Sequence, residues 1–298
     1  MGRKILRRRD NVPWEIHEMS GLRVLILCGR SPRHFYVANR LCEAATPLAI
    51  VQETGREWSA KAVSRALRPA NLWSKVSRRL REPDLRQEEA RFFFGDGPAV
   101  LARPELVAEV PYINHPELGQ LAARLKPDII AVFGTGLIRG PLLSAGRLGI
   151  INLHGGLSPR YRGSDCTFWA LYNGEFDQVG CTLHFIDPGI DTGNLIAHIC
   201  PEVTEGDDEW TLFWRGVRNS AAVYAECLER LECGEPLGQR QQEKGKLYLF
   251  RQRTRRHERE LEAKLRNGLL KGVQLPARIR WFERISAGLA THDHDRRL

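Results

Sequence analysis

Residues Asp128-Ile129-Ile130-Ala131-Val132-Phe133 form an unbroken apolar run that empties into Gly134-Thr135-Gly136. A strand apolar on both faces must be covered on both faces, so it belongs at the centre of a parallel sheet with helices on either side. In such sheets ligands gather beyond the carboxyl ends of the strands. The run therefore predicts an α/β fold with a doubly wound, mostly parallel sheet, and marks the stretch after Phe133 as a place for binding.

Other segments fit that frame. Leu22 to Cys28 is a short apolar run closed by Gly29, and Phe35, Val37, Ala38, Leu41 and Cys42 then recur at helical spacing. Pro47 to Val51 repeats the strand signal, giving a β-α-β start. Ser59 to Arg91 reads as helical, broken at Pro69 and Pro83. Leu148 to His154 and Val179 to Ile186 read as strands, and Thr211 to Leu231 as a helix that closes the main domain before Gly234-Glu235-Pro236. Beyond this the composition turns highly charged, with a strand at Lys246 to Phe250 and a helical segment from Arg251 to Leu270. The chain divides into a basic arm over 1–20, a main domain over 21–235 and a small charged C-terminal appendage over 236–298. Met19 stands just before the first strand, so the arm is either a flexible extension or an over-extended start.

The 298 residues carry a formal net charge of +9, which attracts anions without choosing among nucleotides, polyglutamylated folates, RNA and acidic lipid. Cys28, Cys42, Cys166, Cys181, Cys200, Cys227 and Cys233 form an odd set with no C-x-x-C pair, several of them inside apolar runs. This pattern predicts reduced thiols and a cytoplasmic location. No apolar run is long enough to span a bilayer, and the basic opening lacks the apolar stretch of a signal peptide.

Asn152 and His154 lie two apart at the end of an extended run, so both side chains share one face of a strand. An amide and an imidazole there could converge on one reacting atom. Downstream, Asp187-Pro188-Gly189-Ile190-Asp191-Thr192-Gly193 is a glycine-flanked turn whose aspartates could orient or tune the histidine. Plainer readings exist for each residue: a satisfied buried histidine, a turn-capping aspartate, an asparagine tying up strand-end backbone. Gly134, Gly136 and Gly140 have the wrong spacing for a dinucleotide turn. His115 and His184 have no partners at ligand spacing, so no metal is expected, and Trp169, Trp210 and Trp214 suit packing.

Together, Gly136-Leu137-Ile138 with Leu142-Leu143, the stretch from Arg147 through Asn152-Leu153-His154-Gly155-Gly156-Leu157-Ser158-Pro159 to Gly163, and Gly189-Ile190-Asp191-Thr192-Gly193 closely resemble the folate-dependent formyltransferases. That family includes methionyl-tRNA formyltransferase, glycinamide ribonucleotide formyltransferase and the sugar N-formyltransferases. The likeness is dense from Pro127 to Leu195 and thinner from Leu22 to Leu231. It implies a Rossmann-like formyltransferase fold, 10-formyltetrahydrofolate as co-substrate, and no metal. It also implies that Asn152, His154 and Asp191 are catalytic. Asn152 and a protonated His154 would stabilise the oxyanion formed when an amine attacks the formyl carbon, each donor contributing on the order of 3 kcal/mol. Asp191 would favour the imidazolium and help relay the departing proton. By the same likeness, the backbone of Gly136, Leu137 and Ile138 and the Ile190-Asp191 loop would line the pterin pocket. Arg160, Arg162 and Gly163 would sit on the acceptor side, where an arginine could meet an anionic group.

The chain departs from the pattern at Gly155-Gly156, where many relatives read His-x-Ser-Leu-Leu-Pro, and continues past Gly163 as Ser164-Asp165-Cys166. Its tail does not match the barrel-like tRNA-binding domain of methionyl-tRNA formyltransferase and resembles the short tails of sugar N-formyltransferases. The expected acceptor is therefore a small anionic amine, a nucleotide-linked amino sugar. The alternatives are methionyl-tRNA or glycinamide ribonucleotide as acceptor, hydrolysis of formyltetrahydrofolate, and a non-catalytic folate-binding protein. A homodimer stays open.

Overall fold

The computed structural model describes residues 21–55 and 84–284, with the short strands Arg7–Arg8 and Asp295–Arg297. In chain order the strands are β1 (Arg7–Arg8), β2 (Arg23–Cys28), β3 (Thr46–Glu53), β4 (Val107–Val110), β5 (Ile129–Phe133), β6 (Gly149–His154), β7 (Tyr161–Gly163), β8 (Cys181–Phe185), β9 (Leu195–Cys200), β10 (Lys246–Tyr248), β11 (Arg278–Trp281) and β12 (Asp295–Arg297). The large sheet has the order β1-β4-β3-β2-β5-β6-β8-β9-β11-β12, and β10 pairs with β7 in a second, two-stranded sheet.

The centre of the large sheet, from β4 to β6, is parallel. All five residues of β5 are buried, as its double-sided apolar pattern predicts. The period of two divides β2 between two cores: Val24, Ile26 and Cys28 pack with the helix Pro32–Ala44 and with Val217, while Leu25 and Leu27 pack with Leu118 and Leu121 of the helix Pro116–Leu125. Strands β8, β9 and β11 are antiparallel to their neighbours. The register of β8 against β6 sets Asn152 opposite His184 and His154 opposite Thr182. Of the helix expected from Ser59 to Arg91, residues 84–91 belong to a helix that continues to 94, and 59–83 lie outside the described residues.

The helix Glu209–Glu232 starts at Asp208, whose carboxylate accepts from the Thr211 amide at 2.8 Å while the Thr211 hydroxyl accepts from the Asp208 amide at 2.9 Å. This reciprocal cap fixes where the helix begins. Val217, Ala221, Tyr224 and Leu228 are buried at helical spacing and cover the sheet. The Tyr224 hydroxyl donates to the Ile151 carbonyl at 2.7 Å and accepts from the Val132 amide at 3.1 Å. A hydroxyl thus stands in the ladder between β5 and β6, close to the carboxyl end of their pairing.

The charged C-terminal segment packs into the same body. β10 runs parallel to β7, and β11 extends the large sheet beyond β9. Arg253, nearly buried, bonds Glu209 at 2.6 Å, Asp165 at 3.2 Å and Glu258 at 3.2 Å, with its guanidinium 4.0 Å from the centre of the Phe168 ring. A buried guanidinium is tolerated only with such partners. All seven cysteines are free. Among the described residues no helix is long and apolar enough to cross a membrane.

Candidate active site

The carboxyl ends of β5 and β6 border a cleft of about 380 Å³. Its walls are the run Val132 to Ile138, the run Asn152 to Gly155, Gly163 and Ser164, and the loop after β8 with Ile186, Asp187 and Gly189 to Asp191. Gly136, Leu137, Ile138, Ile190 and Asp191 all fall in this lining. Two residues outside the motifs hold the first wall. Glu53, at the end of β3, accepts from the Gly136 amide at 2.7 Å and the Ile113 amide at 3.0 Å, and Asn114 donates to the Leu137 carbonyl at 2.8 Å.

Asn152, His154 and Asp191 meet at one end of the cleft. The Asp191 carboxylate lies 3.6 Å from His154 Nδ1 and 3.5 Å from His184 Nε2, and accepts from the Gly163 amide at 2.8 Å. Asn152 Nδ2 is 3.1 Å from His184 Nε2. His184 is the residue that sequence spacing does not reveal: it belongs to the cluster because β8 runs antiparallel to β6. Burial pushes the Asp191 carboxyl upward, but His154, the bond to His184 and the Gly163 amide outweigh it and hold the acid well below the usual carboxylate range.

Two opposing influences act on the His154 imidazole. Its burial lowers the imidazole pKa below the ordinary value, and the opposing pull of Asp191 only partly compensates. Burial thus disfavours the charged ring, while the groups around it favour it. Its Nε2 lies 3.0 Å from the Tyr161 carbonyl and its Nδ1 faces the Asp191 carboxylate, so both nitrogens point at groups that only accept. A proton delivered here finds an acceptor on each side.

Arg160 and Arg162 do not line this cleft. Arg160 Nε donates to Glu175 at 2.9 Å, and its side chain is drawn to a second cleft with Asn173, Lys246 and Tyr248. Arg162 donates to the Ile190 carbonyl at 3.2 Å and the Gly245 carbonyl at 2.9 Å, so its forked end is occupied by protein backbone. Only Gly163 of the three reaches the cleft, and it does so through backbone: a Cβ there would run into the Tyr248 carbonyl. Among the described residues no cluster of His, Cys, Asp or Glu could hold a metal ion.

A Formyl transferase family model matches residues 95–228, which include all three converging side chains. That stretch of the chain is similar to the formyl transferases. Over 133 residues it is 34% identical to a methionyl-tRNA formyltransferase of Chlorobium chlorochromatii, covering 45% of this chain and 42% of that protein. Over 124 residues it is 32% identical to a GDP-perosamine N-formyltransferase of Brucella melitensis, covering 41% and 48%. The chain thus spans less than half the length of either relative. The formyl transferase fold extends further than the sequence identity. A sugar N-formyltransferase from Shewanella superposes with a TM-score of 0.52 at 14% identity, covering 80% of this chain and 86% of that one. A likely sugar N-formyltransferase from Mycobacterium tuberculosis does so with a TM-score of 0.53 at 15% identity, covering 80% and 85%.

Proposed function

We propose that this protein transfers the formyl group of 10-formyltetrahydrofolate to the primary amine of a nucleotide-linked amino sugar. The observation that carries the reading is the convergence of an amide, a buried imidazole and an ionised carboxylate at one end of a cleft within the stretch similar to the formyl transferases. The cleft suits the pterin end of a folate: its walls are apolar at Val132, Ile138 and Ile190 and offer backbone donors and acceptors beside them.

The amine lone pair attacks the formyl carbon, and the carbonyl oxygen takes up the displaced electron pair. The free N–H of Asn152 stabilises that oxygen, a contribution on the order of 3 kcal/mol for one such donor. The amine proton passes, directly or through water, to the neutral His154, where the Asp191 carboxylate stabilises the imidazolium that forms. Collapse then breaks the bond to the folate nitrogen, which leaves with its electron pair. The histidine returns to its neutral form when that nitrogen is protonated.

Two features support an anionic sugar nucleotide. One relative is a GDP-perosamine N-formyltransferase. The positive charge is also concentrated: residues 239–284 hold fourteen Lys and Arg against five Glu, and the rest of the chain is balanced. Such a field draws polyanions toward this segment. An RNA acceptor is the competing reading, since another relative is a methionyl-tRNA formyltransferase.

The test is to incubate the protein with 10-formyltetrahydrofolate and a panel of amino-sugar nucleotides, glycinamide ribonucleotide and charged initiator tRNA, identifying products by mass. Salt-tolerant formylation of a sugar nucleotide is expected. Turnover of tRNA that collapses steeply with salt would replace the acceptor, and release of formate alone would replace transfer by hydrolysis. No product together with no folate binding would remove the reading.

A further inference from the structure

We propose that Gln241 is a positioning residue for Asp191, so that a segment outside the family-matched stretch completes the active site. The inference rests on the catalytic reading of Asp191 given above. Asp191 has φ +52°, in the left-handed region, which aspartate enters more readily than most side chains but which still costs more than the extended or right-handed regions. The carbonyls of Ile190, Asp191 and Gly193 are each capped by a side chain. Gln241 Nε2 donates to the Asp191 carbonyl at 3.0 Å and to the Gly193 carbonyl at 2.7 Å, one N–H to each. Arg162 takes the Ile190 carbonyl at 3.2 Å.

Gln241 is itself held on both sides. Gln239 and Leu195 exchange backbone hydrogen bonds of 2.8 Å in each direction, and the Gly245 carbonyl accepts from Arg162 at 2.9 Å. β10 then locks onto β7 from Lys246 to Tyr248. The segment 239–248 therefore crosses the back of the Asp191 loop between two fixed points, with a single amide group reaching in. Released from that amide, the loop is free to leave the left-handed conformation, and the carboxylate would swing from between His154 and His184. A misplacement of about 1 Å at a reacting group costs on the order of 100-fold in rate.

Three variants of the full chain separate positioning from general support. Gln241→Ala removes both donors, Gln241→Glu replaces them with acceptors, and Gln241→Lys restores donors of similar reach. Expected is a fall in kcat of about 10- to 100-fold for Ala and Glu with KM for the folate nearly unchanged, and recovery of most of it in Lys. Independently of turnover, NMR titration of His154 should give a lower midpoint in Ala, because the carboxylate that supports its charged form has moved away. A shifted midpoint in a protein without formyl transfer would uphold the positioning role while the catalytic reading failed. An unchanged midpoint and kcat would overturn the proposal, as would losses in all three variants that follow their melting temperatures.

Discussion

Asn152 and His184 face each other across the antiparallel pairing of β6 and β8, with Asn152 Nδ2 3.1 Å from His184 Nε2. His184 Nδ1 donates to the Phe185 carbonyl at 2.8 Å, which fixes the ring with Nε2 toward the Asn152 amide and the Asp191 carboxylate. The ring held in this way limits how the Asn152 amide can turn. His184→Ala removes that restraint and is expected to lower kcat about 10-fold while folate affinity holds. Steady-state kinetics read the effect, and an unchanged kcat would dismiss the orienting role.

Asn152→Ala deletes the donor itself. The expected loss is about 3 kcal/mol of transition-state stabilisation, or roughly 100-fold in kcat or more. Single-turnover formyl transfer measures it at the chemical step. Activity within a few fold of the parent would show that another group stabilises the oxyanion.

Tyr224→Phe empties the position between β5 and β6 where a hydroxyl joins the Val132 amide to the Ile151 carbonyl. Both groups lose their partner in a buried ladder, which costs about 1–3 kcal/mol. Urea denaturation is expected to show a lower midpoint at the same slope. A variant as stable as the parent would mean that the two strands close on each other directly, and the cleft they border would then be the part to change.

Acid should destabilise the protein in a defined window. Burial lowers the pKa of His34, His154 and His198, the last to about 4. For each, protonation favours the unfolded chain, where the ordinary value is about 6.5. Their contribution is therefore complete above pH 6.5 and falls away as pH drops toward 4. Asp191 shifts in the same direction from a lower starting point, so its contribution is lost only below about pH 4. Denaturation series at pH 7, 6, 5 and 4 should show stability declining below pH 6.5, with a shallower decline in His198→Gln. A flat profile to pH 4 would contradict the buried neutral state of these histidines.

Some relationships were written in local sequence and others were not. Asn152 and His154 share a face because they are two apart on a strand, and that is legible without coordinates. The glycine-flanked turn marks Asp191 as a residue that can come close to a ligand. His184 carries no local signal, because its neighbours in the cluster come from strand direction and register, which depend on how distant segments pair. Glu53, Tyr224 and Gln241 are equally silent: each looks like an ordinary polar or aromatic residue until the chain brings it to the backbone group it satisfies. The contacts of Arg160 and Arg162 are silent for the same reason, since Glu175 and the backbone carbonyls of Ile190 and Gly245 meet them only in the folded chain.

By itself the sequence determined the central buried strand, the β-α-β start, the end of the sheet where the cleft lies and the three residues that meet there. Periodicity and glycine placement act over a few residues, so they can be read in order along the chain. Only the tertiary structure decided that His154 is buried against Asp191, that His184 sits beside both Asn152 and Asp191, and that Gln241 of the charged C-terminal segment bonds the Asp191 loop. Burial, tautomer and hydrogen-bond satisfaction depend on groups far apart in sequence, and they acquire values only when those groups share a site.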